Sequence, residues 1–350
     1  MSLRLKSLFT RASRGPLSVR SSGRRRNSVA AAVAALALTG GLTACSSSDD
    51  DKGGSAASTA GFPVKVATKF GEITVQKKPQ RVVALGWGDA ETALALGVQP
   101  VGASDWLAFG GDGVGTWAKG LYKKSPTKIG TLEPEYEKIA SLKPDLILDT
   151  KSSGDQKRYD TLSKLAPTIG VPKGGEQYLT NWETQIRMVA DSLGLHDKGE
   201  ELIAKTEKKF KAATAQHPEF KGKTATSGSR TSVGYGAYVK SSGRVDFLER
   251  LGFKNNPEVD AKAGKSFSVT VSRESLDMLD SDLLVMAPIG LPKSKIENDP
   301  LYKEIPAVKA GHDVVFDPKS TLSSAFATDS VLSVSYALDK VVPEFAKALR

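Results

Sequence analysis

Across 350 residues there is one cysteine, Cys45, and there are three histidines. A single thiol excludes an intrachain disulfide and a multi-thiolate metal site. His196, His217 and His312 each lie beside a Gly, a Pro or a charged turn residue and share no ligand spacing, so turn or helix-end roles are expected of them. The enzyme templates are missing too. No G-x-S-x-G elbow occurs. Gly222-Lys223-Thr224 and Gly264-Lys265-Ser266 resemble the end of a phosphate-binding loop, but His217 and Val259 stand where its first glycine is required. Gly111, Gly113 and Gly115 miss the dinucleotide spacing because residue 116 is Thr. With no recognisable acid–base pair, the chain reads as a non-enzyme. It also lacks an apolar run of the roughly 20 residues needed to span a bilayer.

What is present begins with the leader. Arg24, Arg25 and Arg26 precede an apolar stretch from Val29 to Leu42, and Leu42-Thr43-Ala44-Cys45 closes it. That order, cationic start, short apolar core and small residues before a thiol, is the pattern of a lipoprotein signal peptide with Cys45 as the acylated residue. The expected mature chain starts at Cys45 and is held by diacylglycerol and palmitate-type acyl chains on the extracytoplasmic face of the cell membrane. Both the general and the twin-arginine export routes stay open. The formal net charge is +10, yet eight of the 49 cations lie in residues 1–44, which hold no acids. The remaining 41 cations face 39 anions, so the high isoelectric point belongs to the leader. No electrostatic footprint for nucleic acid is left.

Ser46 to Gly61 is Ser, Gly, Ala and Asp without apolar periodicity, which makes 45–61 a flexible tether. Val64–Ala67 and Ile73–Val75 flank Lys69-Phe70-Gly71 as a hairpin, and Val82-Val83-Ala84-Leu85 is a short buried strand. Asp89–Leu96 has helical spacing and stops at Gly97, and Val101-Gly102-Ala103 is the next strand. Alternating strands and helices predict an α/β class with parallel sheet. The chain also repeats itself: EKIASLKPDLIL from Glu137 matches ESLDMLDSDLLV from Glu274 at an offset of 137, each a short helix feeding a buried strand. Two such copies predict two similar α/β lobes. Between them 181–217 is rich in helix formers, with Leu202, Ile203, Thr206, Phe210 and Ala213 on one stripe of Asp197–Gln216. A helix of that length reaches about 30 Å and would join the lobes directly. The expected units are thus a leader 1–44, a tether 45–61, an N-terminal lobe 62–180, a helical connector 181–217 and a C-terminal lobe 218–350.

The site candidates are aromatic and guanidinium groups in loops that should emerge at strand carboxyl ends, where ligands of such sheets bind. In the first lobe these are Trp87, Trp106 and Phe109; in the second, Arg230, Tyr235, Tyr238 and Arg244. Aromatic faces with Arg donors suit a bulky, partly polar organic ligand held in a cleft between the lobes.

Four segments carry a family resemblance: Pro79-Gln80-Arg81-Val82-Val83-Ala84-Leu85, Gly130-Thr131-Leu132-Glu133-Pro134-Glu135-Tyr136-Glu137-Lys138-Ile139, Leu142-Lys143-Pro144-Asp145-Leu146-Ile147, and Asp299-Pro300-Leu301-Tyr302 through Ile305-Pro306-Ala307-Val308. Through them, nearly all of 62–350 resembles the metal-chelate class of solute-binding lipoproteins of ABC importers, in its ferric-siderophore branch. The resemblance implies two lobes joined by one long helix, a ligand cleft between them, a ferric siderophore as ligand, and no cofactor. It further implies a monomer that delivers its ligand to a permease dimer, with Glu137 and Glu274 engaging permease arginines. Hydroxamate, catecholate and mixed siderophores all remain open, as do haem and cobalamin. Readings from other classes are a surface hydrolase and a partner-docking sensor lipoprotein. Some relatives carry an Arg just before the Glu-Pro pair where this chain has Thr131 and Leu132, so their ligand contacts do not transfer directly.

Overall fold

A computed structural model describes residues 61–350 except Glu176 and Lys265; the leader, most of the tether and Cys45 lie outside the described residues. Among the described residues no helix is long and apolar enough to cross a membrane. The chain enters through the antiparallel hairpin β1 (Val64–Thr68) and β2 (Gly71–Val75). Five parallel strands follow, β3 (Val82–Ala84), β4 (Gly102–Ser104), β5 (Thr127–Ile129), β6 (Leu146–Leu148) and β7 (Thr168–Ile169), ordered β5-β4-β3-β6-β7. The second sheet holds β8 (Thr224–Thr231), β9 (Gly234–Tyr238), β10 (Lys254–Asn255), β11 (Ser268–Val271), β12 (Leu283–Pro288) and β13 (Asp313–Val315). Its order is β11-β9-β8-β12-β13, with β10 also paired to the start of β8.

The central strands β3, β6 and β12 are buried on both faces, which is why they read as unbroken apolar runs. Val82 and Ala84 join one core with Leu146 and Leu148, whereas Val83 and Leu85 face the opposite side with Ile147 and Ile139. In the second lobe Leu283 and Val285 face one way and Leu284 and Met286 the other. Period-two alternation separates each set.

The 137-residue repeat occupies equivalent places. Helix α1 (Asp89–Ala95) follows β3 and ends at Gly97, whose φ of 82° needs glycine. Glu137 lies in the first turn of α2 (Tyr136–Ser141), which feeds β6; Glu274 lies in the 3₁₀ segment Arg273–Leu279, which feeds β12. Just before β6, Asp145 accepts hydrogen bonds at 2.8 Å from the backbone N–H groups of Gln80 and Arg81, at the mouth of β3. Just before β12, Asp282 accepts from Thr224 N at 2.7 Å and Thr224 Oγ1 at 2.9 Å, at the mouth of β8. The same acid therefore locks the same strand pair in each lobe. The lobes differ at one edge, where antiparallel β9 and β11 replace parallel β4 and β5.

After α3 (Gln156–Leu162) and β7, the chain forms α4 (Trp182–Ser192), turns at Gly194 and runs through α5 (His196–Gln216), a 21-residue helix. Its buried stripe of Ile203, Thr206, Phe210 and Ala213 recurs at helical spacing. Phe210 and Ala213 share a core with Trp182 and Ile186 of α4 and with Leu283, Phe247 and Val334 of the second lobe. Met188, Val189 and Ala190 of α4 join the first-lobe core of Val82, Ala84 and Leu146, so the connector packs on both lobes.

Candidate ligand-binding cleft

The lobes meet at a cleft of about 510 Å³. From the first lobe it is lined by loops that leave the carboxyl ends of the strands: Trp87 after β3, Trp106 after β4, Thr131 and Leu132 after β5, and Lys151 after β6. Facing them are Tyr238 at the end of β9, Ser242–Arg244 at the start of α6 (Gly243–Arg250), Pro288–Gly290 after β12, and the helix Thr321–Thr328. The site thus falls where parallel α/β sheets place their ligands.

A continuous aromatic strip crosses the cleft. Trp87 is stacked between Trp106 (centroids 4.2 Å apart, planes 9°) and Tyr178 (4.2 Å, 27°). Tyr178 meets Phe267 edge-on at 6.1 Å, Phe267 stacks on Tyr238 at 6.3 Å, and the Arg244 guanidinium lies 4.3 Å over Tyr238. The Trp87 indole N–H donates to Thr131 Oγ1. Both faces of Trp87 are therefore occupied by protein, leaving its edge toward the cleft. Tyr178 holds φ at +56°, an uncommon value for a bulky residue, and Ala108 and Asp329 in the same lining are also left-handed. Backbone strain concentrates at the site, as functional clefts tend to show.

Charge in the cleft is sparse and mostly cancelled. Lys151 Nζ donates to Asp329 Oδ2 at 2.8 Å and to the Asp329 carbonyl at 2.9 Å, joining the lobes through a buried pair. Beside it Glu91 of α1 accepts from Ser330 Oγ of the second lobe, from Trp117 Nε1 at 2.7 Å and from Gly115 N. Burial pushes the Glu91 carboxyl above its ordinary value. Behind Trp87, Asp89 accepts from Gly86 N, Thr150 N, Thr150 Oγ1 and Gln185 Nε2, and Gln185 also donates to the Trp87 carbonyl. Burial, opposed by these donors, raises the Asp89 carboxyl to about 6. Arg158 of α3 is chelated by Asp149 at 2.6 and 3.0 Å and donates to the Thr131 carbonyl, holding the loop that carries Leu132.

The structure brings Trp87, Trp106, Tyr238 and Arg244 to the cleft and leaves three other expected residues outside it. Tyr235 and Tyr238 are an odd number of positions apart on β9, so strand alternation sends them to opposite faces. Tyr235 is buried with Asp299, and Arg230, its cross-strand partner, is bound to both. Arg230 and Tyr235 thus form a closed cluster with Arg273 on the far side of the sheet. Phe109 packs edge-on against Trp117 and supports the Gly-rich loop rather than lining the cleft. Sequence reasoning missed Tyr178, Phe267, Lys151, Ser242 and Asp329. Lys151 was accessible to it, since it follows the carboxyl end of β6 as Trp87 follows β3; nothing local marks the others.

The family model described as periplasmic binding protein matches residues 82–320. This chain belongs to that family. As a periplasmic binding protein it is 30% identical over 294 residues to the probable siderophore-binding lipoprotein YfiY of Bacillus subtilis, covering 78% of this chain and 84% of the relative. It is 28% identical over 260 residues to the iron(3+)-hydroxamate-binding protein FhuD of the same organism, covering 71% and 77%. Among solved structures, PiaA of Streptococcus pneumoniae in complex with ferrichrome superposes with a TM-score of 0.71 at 27% identity, covering 82% of this chain and 98% of PiaA. Two α/β lobes joined by a long helix are the architecture this periplasmic binding protein shares with it.

Proposed function

We propose that this protein is the extracytoplasmic receptor of an iron importer, capturing a ferric siderophore in the interlobe cleft and releasing it to a permease dimer without catalysis. The observation that carries the reading is the aromatic strip from Trp106 to Tyr238, which crosses both lobes and ends at the Arg244 guanidinium. Such a surface grips a bulky chelate by stacking and directs one strong donor at its oxygens. Relatives named for siderophore and ferric-hydroxamate binding, and a solved neighbour holding ferrichrome, support it. In this reading the protein acts as a monomer on an acyl anchor at Cys45, and Glu137 and Glu274, both exposed, are the permease contacts.

A thermal-shift series with ferrichrome, ferric enterobactin, ferric citrate, haem and cobalamin tests it. A ligand at 100 times its dissociation constant adds about 2.7 kcal/mol of stability. Stabilisation by a ferric chelate supports the reading; stabilisation only by haem or cobalamin, or by nothing, overturns it. Trp106→Ala and Arg244→Ala should each weaken binding by about 0.5–2 kcal/mol, and Tyr235→Phe should leave it unchanged.

A further inference from the structure

Resting on the siderophore reading, the charge inventory of the cleft narrows the ligand class: we infer that the protein selects a ferric complex of near-zero net charge, that of a tris-hydroxamate, over the anionic catecholate and carboxylate complexes. Three charged side chains line the cleft among the described residues: Lys151, Asp329 and Arg244. Lys151 spends its charge on Asp329, with both side chains about 5% exposed. Arg244 makes no ion pair among the described residues and stacks on Tyr238, so the lining carries a net charge of one positive unit.

Iron(III) bound by three hydroxamates, each having lost one proton, is neutral. Bound by three catecholates, each having lost two, it is a trianion. Burying a trianion against one guanidinium leaves two charges uncompensated in an aromatic enclosure, where unpaired charge is costly. The other guanidinium near the cleft, Arg158, is already neutralised by Asp149 behind the wall.

The test is tryptophan quenching of the full chain in detergent, titrated with ferrichrome (neutral), ferric enterobactin (trianionic) and ferric citrate (anionic), each at 50 and 500 mM NaCl. The expected result is ferrichrome binding at least 100-fold tighter than either anion, with less than a threefold change across the salt range, since screening weakens only charge-driven association. Arg244→Gln should cost ferrichrome no more than about tenfold, the loss of one charged donor. Equal or tighter binding of ferric enterobactin or ferric citrate, or a thousandfold loss in Arg244→Gln, would overturn the charge selection while leaving the siderophore reading intact. Failure of every ferric chelate to bind would overturn both.

Discussion

Lys151 and Asp329 stand 178 residues apart in the chain and 2.8 Å apart in space, an ammonium from one lobe buried against a carboxylate from the other. The pair sits in the cleft lining beside the Glu91–Ser330 contact, so the two lobes are joined by polar groups at the site as well as by apolar packing along α4 and α5. Removing one member of a buried pair strands the other charge. Lys151→Met should therefore cost about 3–5 kcal/mol of unfolding free energy. Adding Asp329→Asn, which keeps the left-handed backbone tolerable, should recover part of that loss. Urea denaturation of the two single variants and the double variant measures the coupling, and additive losses would show that the pair does not act as a unit.

Stability should rise as the medium turns mildly acid. Burial lifts the carboxyls of Asp89 and Asp246 to about 6 from an ordinary 3.8. Between those values the folded chain holds protons that the unfolded chain has released, so their contribution grows as pH falls from about 6 toward 4. His196, raised by its hydrogen bond to Asp191, acts in the same direction from pH 6.5 upward, losing its contribution as pH rises through its folded value. Glu183 and Asp299 are lowered and withdraw support only below about 4. Unfolding midpoints at pH 7 and pH 5 check this: wild type should be the more stable at pH 5, and Asp246→Asn should show a smaller gain.

Glu137 and Glu274 are exposed, and neither forms an ion pair among the described residues. Reversing either to Lys should reduce cellular uptake of the ferric ligand, and reversing both should reduce it further, because two acids on separate lobes can steer and hold a dimeric partner. Ligand affinity of the purified variants should match wild type. Normal uptake by the double reversal would leave stabilisation of a helix N-terminus as their only role.

Cys45→Ser should move the protein from the membrane fraction to the soluble fraction, since among the described residues no helix is long and apolar enough to cross a membrane. Retention on the membrane at the wild-type level would remove Cys45 as the anchor.

Local pattern alone determined a large part of this molecule. Unbroken apolar runs such as Val82–Leu85 and Leu146–Leu148 declared strands buried on both faces, the 3.6-residue stripe from Ile203 to Ala213 declared the connecting helix, and the repeat offset by 137 declared two lobes. Each of these follows from periodicities of two and 3.6 that a strand or helix imposes on neighbours in the chain. The cleft is different. Whether Tyr235 or Tyr238 faces it depended on which face of β9 packs on the core, and Arg230, expected there, was drawn to Asp299 by strand register. Tyr178, Phe267 and the Lys151–Asp329 pair carry no local signature, because each meets its partners only after two lobes have folded and docked. Sequence sets which groups are available at strand ends; tertiary packing sets their direction, and direction decides what a cleft can bind.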